Sequence, residues 1–181
     1  MLSTTDRTGS RILVSAGSRH GATLEIAEQI AAVLREWGNE VDVADPDQVT
    51  SLDGYDVVVL GSAVYAGHWV ENARRLADLV AESKPRPETW LFSSGPVGDP
   101  PVPTEHAVDV SDILHATEAR DHRLFGGKID KSKLSFGEKA ILIAVRAPEG
   151  DYRDWDEITA WSKDIAERLV GAMSHPTSLV P

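Results

Sequence analysis

The sequence contains no cysteine. That absence excludes disulfides, thiolate zinc sites, Cys-ligated iron–sulfur clusters and a Cys nucleophile together, so any redox chemistry needs a cofactor not held by thiolates. It also fits a cytoplasmic protein. Long apolar runs are missing: the longest inside a plausible element is Ala140 to Val145, far short of the roughly 20 residues of a membrane span. Met1 to Ser10 is polar and lacks the apolar stretch of a secretory signal. Positive charge is scarce, with 18 Lys and Arg against 29 Asp and Glu and a net charge of −11. Nucleic acid and anionic lipid, both polyanions, are therefore disfavoured as primary partners.

What remains is an ordinary globular composition, 41% hydrophobic and 26% charged over 181 residues, which matches one domain. Its extent is read as residues 11–172, with 1–10 and 173–181 as flexible tails. Short apolar runs alternate with longer amphipathic ones. Arg11 to Ala16 reads as a buried strand. Ala22 to Trp37 reads as a helix, with Ile26, Ile30, Val33, Leu34 and Trp37 spaced by three and four. Glu40 to Ala44 alternates as a half-covered strand does. Asp56 to Leu60 is apolar enough to be a central parallel strand. Glu71 to Ser83 is helical, and Thr89 to Phe92 is another short buried strand. Repeated strand–helix–strand units imply right-handed crossovers and a doubly wound parallel sheet. Thr104 is placed as the cap of a helix reaching Ala119, and His122 to Gly127 as a weak strand. Leu134 to Val145 is open between helix and strand, and Trp155 to Ala172 is a helix.

In such a sheet, ligands bind outside the carboxyl ends of the strands. Three loops leave those ends. Gly17 to Thr23 is small and hydroxyl-bearing, and its N–H groups with the following helix N-terminus suit a phosphate dianion. Ser18 and Thr23 add hydroxyls, and Arg19 and His20 add charge. No Gly-Lys-Ser/Thr closes the loop, so Mg-nucleotide hydrolysis is not indicated, and Gly-x-Gly-x-x-Gly is absent. Gly61 to Trp69 is apolar and aromatic, which suits a flat heteroaromatic ring; Trp69 is placed at the start of a helix. Ser93 to Asp99 offers N–H groups and hydroxyls without charge. Each loop also has a plain reading: a turn that caps a helix, partly buried packing aromatics, and a Gly-Pro turn.

Together the loops resemble the flavodoxin-domain family, in particular the branch that includes menaquinone-dependent protoporphyrinogen oxidase. Gly17 to Thr23 is similar to the family's phosphate loop, and Gly61 to Trp69 and Ser93 to Gly98 stand where its two flavin-ring loops do. Gly67-His68-Trp69 resembles the branch's ending of the second loop. Gly126 to Asp130, the segment Lys131 to Val145 and Tyr152-Arg153-Asp154-Trp155 follow its later order. Two departures stand out: Arg19 and His20 occupy positions usually held by Thr or Ser, and Lys131 to Val145 is less basic and aromatic than the branch's insert.

The resemblance implies an α/β fold with a five-stranded parallel sheet of order 2-1-3-4-5, helices on both faces, and FMN as cofactor. It places FMN on Ser18, Arg19, His20, Gly21, Ala22 and Thr23, on Ser62, Ala63, Val64, Tyr65, Ala66, Gly67 and His68, and on Ser94, Gly95, Pro96 and Gly98. No metal is implied. The chain then is an oxidoreductase passing electrons from an organic substrate to a quinone, or a carrier between redox proteins, its acidic surface steering basic partners. A third alternative is an interaction module that has lost FMN. Catalytic residues are unassigned, with Tyr65 and His68 as weak candidates; a homo-oligomer is left open. A phospho-receiver domain is disfavoured, because Gly61-Ser62 stands where its acceptor Asp would be.

Overall fold

The computed structural model describes residues 9–95, 108–144 and 148–174. The elements run β1 (Arg11–Gly17), α1 (Ala22–Glu36), β2 (Glu40–Ala44), β3 (Val57–Tyr65), β4 (His68–Trp69), α2 (Glu71–Glu82), β5 (Glu88–Ser94), α3 (Ser111–Thr117), β6 (His122–Phe125), β7 (Lys128–Ile129), α4 (Phe136–Ala144), β8 (Gly150–Asp151) and α5 (Trp155–Ser174). The main sheet has the order β2-β1-β3-β5-β6, with every pair along that path parallel. This is the expected doubly wound order, renumbered by the small strand β4, which pairs antiparallel with β3. β7 and β8 form a separate antiparallel ribbon.

Both faces of the sheet are covered, which is why its central strands are apolar without alternation. Ile12, Val14 and Ala16 of β1 point to one face, with Val57 and Val59 of β3 and Trp90 and Phe92 of β5; α1 and α5 cover them through Ile26, Ile30, Leu34, Ile158, Trp161 and Ile165. Leu13, Val58, Leu60 and Leu91 point to the other face, beneath Ala73, Leu76 and Val80 of α2 and Val110 beside α3. On the first face the rings of Phe92, Phe125 and Trp161 meet at tilted or edge angles with centroids 5.6–6.2 Å apart, a geometry that aromatic quadrupoles favour.

Several boundaries differ from the sequence reading, each for a local reason. β3 does not stop at Leu60: Gly61, Ser62 and Ala63 stay in register with Phe92, Ser93 and Ser94 of β5. Small uncharged residues there are ladder residues as well as rim residues. Trp69 does not begin a helix. It lies in β4, buried, and its indole N–H donates to Ser93 Oγ at 2.8 Å. α3 covers only Ser111–Thr117, ended by Glu118 in the left-handed region; Thr104, its expected cap, lies outside the described residues. β6 ends at Phe125, two residues before the expected Gly127; the Tyr152 carbonyl packs against Gly126, where an added Cβ would meet it. The ambiguous segment resolves as a helix, α4, with Val145 outside the described residues, as are 1–8 and 175–181 of the expected tails. Among the described residues no helix is long and apolar enough to cross a membrane.

Candidate functional site

The carboxyl ends of β1, β3 and β5 open onto one cavity of about 480 Å³, a size usual for small-molecule sites. Its two ends differ in chemistry. At one end is the turn from β1 into α1. Gly21 is the N-cap of α1, in the left-handed region at φ +89°, and no side chain caps the helix. The first intrahelical bond of this turn is Glu25 N–H to Gly21 C=O at 3.1 Å, so the N–H groups before Glu25 have no intrahelical acceptor. Ser18 Oγ accepts the Gly21 N–H at 2.9 Å and closes the loop. Ser18, Ala22 and Thr23 line the cavity, with Thr23 held by a buried position in the first turn. Unfilled donors at a helix N-terminus, flanked by hydroxyls, suit an anion.

The other end is apolar. Ala63, Val64 and Tyr65 from β3 and Ala66-Gly67 from the following turn form one wall; Ser94 and Gly95 form another. Ala66 (φ +50°) and Gly67 (φ +79°) both lie in the left-handed region, as a two-residue hairpin between paired Tyr65 and His68 requires. Burial pushes the Tyr65 phenol above its ordinary value. The Arg19 guanidinium stands 4.3 Å over the Tyr65 ring, so the first two loops touch through a cation–π contact.

Twelve of the expected binding residues therefore line one cavity: Ser18, Arg19, His20, Ala22, Thr23, Ala63, Val64, Tyr65, Ala66, Gly67, Ser94 and Gly95. Gly21 shapes the loop without lining it. Ser62 faces inward: fully buried, its hydroxyl donates to Ala63 C=O at 2.8 Å and accepts the Val70 N–H at 3.0 Å. His68 is exposed beside the buried Trp69, outside the cavity lining. Pro96 and Gly98 lie outside the described residues.

The sequence reading missed a fourth contributor. Gly127, Lys128, Ile129, Leu134 and Glu138 also line the cavity. β6 is parallel to β5, so its carboxyl end reaches the same rim, and Gly126-Gly127 was the available signal. Gly127 is needed because a Cβ there would crowd Gly95 N and Cα at 3.2 and 3.3 Å. Glu138 reaches back to the first loop, 3.1 Å from His20 Nε2 and 3.9 Å from Arg19 Nη1. Hydrogen bonds from Ser135 N–H and hydroxyl, then from His20, pull its carboxyl down to about 2. Ser135 and Glu138 form a capping box on α4: Ser135 N–H donates to the carboxylate at 2.8 Å, and Glu138 N–H donates to Ser135 Oγ at 3.3 Å.

Behind the ring-side walls a buried polar chain ties β4, β5 and β6. Trp69 N–H donates to Ser93 Oγ, which also lies 2.8 Å, at hydrogen-bond distance, from His122 Nε2. Burial lowers the His122 pKa, which favours the neutral ring. Among the described residues no group of His, Cys, Asp and Glu is placed to hold a metal ion.

Residues 13–156 match the family model described as a flavodoxin domain. No curated protein sequence matches the chain. Among solved structures, flavodoxin 1 from Bacillus cereus superposes at a TM-score of 0.59 and 16% identity, over 88% of this chain and 99% of that one. A flavodoxin from the domain Archaea gives 0.58 and 18%, over 88% and 98%. The rubredoxin oxygen:oxidoreductase of Desulfovibrio gigas gives 0.62 and 12%, over 93% of this chain but only 38% of that one. At these identities the likeness to each structure is one of fold.

Proposed function

The chain belongs to the flavodoxin domain family, whose cofactor is FMN, and from that premise we propose that it holds FMN noncovalently in the cavity and passes electrons through it. The observation that carries this reading is the opposition of the two cavity ends: uncapped helix donors and hydroxyls facing an apolar, aromatic wall. FMN has the same two ends. The phosphate would rest on Ser18, Gly21, Ala22 and Thr23. Arg19 and His20 already meet Glu138, so the dianion is met chiefly by amides and hydroxyls. The ring would rest against Ala63 to Gly67 and Ser94-Gly95, with Pro96 and Gly98 continuing the third loop. Backbone polar groups of Ala66 and Gly67 are the proposed hydrogen-bonding partners of the ring, the Gly67 N–H rather than its carbonyl, which accepts the Asp109 N–H at 3.4 Å.

FMN when bound supplies one- and two-electron transfer. The protein's part is to orient the cofactor, exclude water from one side and fix the local potential. Two roles share this machinery. The oxidoreductase role, resembling menaquinone-dependent protoporphyrinogen oxidase, is supported by Gly67-His68-Trp69, by the inserted α4 and by Tyr152 to Trp155. The carrier role, between redox proteins of the cytoplasm, needs nothing from the chain beyond the flavin cradle itself. Turnover with a quinone acceptor selects the first; reduction by a flavoprotein reductase without substrate turnover selects the second.

The test of FMN binding is a visible absorbance spectrum of the purified protein, with the released pigment identified by mass. A flavin spectrum and the mass of FMN support the proposal. Colourless protein that does not take up added FMN reduces the chain to a fold without this function.

A further inference from the structure

We propose that Arg153 is a positioning residue for the phosphate-binding turn, and that it sets the chain's preference for FMN over riboflavin. The inference rests on the FMN reading above and goes beyond it. Among the described residues Arg153 is the one buried charged residue, its side chain only 3% exposed. A buried guanidinium persists only where its donors are satisfied, and here they are shared between α1, which lines the cavity, and β8, which does not. Nε and Nη2 form a fork on Asp151 of β8 at 2.8 and 2.6 Å. Nη1 donates to Glu25 Oε2 at 2.7 Å and to Ala22 C=O at 3.1 Å. Its other face lies 4.6 Å from the Trp155 ring centroid.

Ala22 and Glu25 belong to the first turn of α1, the turn that no side chain caps. β8 pairs with β7, whose Lys128 and Ile129 line the cavity. Arg153 therefore pins the donor turn to the ribbon opposite it, from behind, without lining the cavity. The carboxylates it holds, Asp151 and Glu25, outnumber it. Its role is thus alignment of N–H groups rather than supply of positive charge to the ligand.

That distinction fixes the experiment. Dissociation constants for FMN and for riboflavin, which lacks the phosphate, are measured by flavin fluorescence quenching on apoprotein of wild type, Arg153→Met, Arg153→Lys and Asp151→Asn. Misaligning the turn should raise the FMN constant of Arg153→Met by roughly tenfold or more, the scale of a lost charged hydrogen bond, and move the riboflavin constant less than about twofold. Arg153→Lys keeps the charge but not the fork, so it should recover little. Asp151→Asn decides the mechanism even if Arg153→Met fails to fold. It removes a negative charge, so simple electrostatics predicts tighter FMN binding, whereas loss of the fork predicts weaker. Equal losses for both ligands, full rescue by lysine, or tighter FMN in Asp151→Asn would each overturn the proposal. A wild type that binds neither flavin removes the FMN reading itself, and this inference with it.

Discussion

At Gly61 an added Cβ would fall within the ring of Phe92. Phe92 is fully buried and held between Phe125 and Trp161, so the ring has nowhere to move. Gly61→Ala should therefore destabilise the fold by about 1–3 kcal/mol, the usual cost of overpacking a core. Urea denaturation checks this; an unchanged midpoint would show that Phe92 repacks freely. The same residue explains a misreading. Glycine after an apolar run reads as the end of a strand, yet here β3 continues through it to Tyr65. The glycine answers an aromatic ring on the neighbouring strand, which the chain reaches 31 residues later (92 − 61) and which local pattern does not reveal.

Elements show the same division between what is local and what is not. The first loop was legible because its signal lies within a few residues: a buried strand, glycine, serine, glycine and then an amphipathic helix. The ribbon of β7 and β8 was not, because its partners, Lys128 with Asp151 and Ile129 with Gly150, are two residues each and carry no periodicity. The turn between β3 and β4 lies between these cases. A two-residue hairpin with both central φ positive favours Asn-Gly or Gly-Gly, whereas this chain has Ala66, held at φ +50°. An L-residue there costs about 1–2 kcal/mol. Ala66→Gly should stabilise the fold by somewhat under that, measured as a rise in melting temperature. It should also leave flavin affinity within a few-fold, since the ring's proposed partner is backbone. A fall in stability would mean that the Ala66 methyl packs more than its exposed position indicates.

For α4 the described contacts to the first loop are polar, and among its described side chains the large apolar ones, Phe136 and Ile143, are exposed. Glu138 is held near 2 by Ser135 and His20, below the ordinary carboxylate value. The sign follows: a lowered folded pKa contributes stability fully present above about 4.5, and lost as pH falls through about 2. Backbone NMR shifts of Ser135 to Lys139 should therefore titrate near 2, and Glu138→Gln should abolish the step. A midpoint at the ordinary carboxylate value would mean that the capping box does not persist in solution.

Over the whole molecule, charge is distributed against its own total. The chain carries −11, yet four of its six lysines, Lys128, Lys131, Lys133 and Lys139, fall in one segment. Lys128 lines the cavity, and Lys133 Nζ reaches the His20 carbonyl at 3.5 Å. The expected acidic surface is therefore broken at the site itself. Net charge and local charge then predict opposite salt effects on an incoming dianion. If the total governed, salt would screen repulsion and FMN would associate faster. The screening length is only about 8 Å at physiological ionic strength, so a ligand entering the mouth responds mainly to the cations beside it. FMN association with apoprotein, followed by stopped-flow fluorescence, should therefore slow as salt rises. Lys128→Gln with Lys133→Gln should flatten or invert that slope. Acceleration by salt in the wild type would show that Asp130, Glu138 and the acidic body outweigh the lysines, and that anions reach this rim against the field.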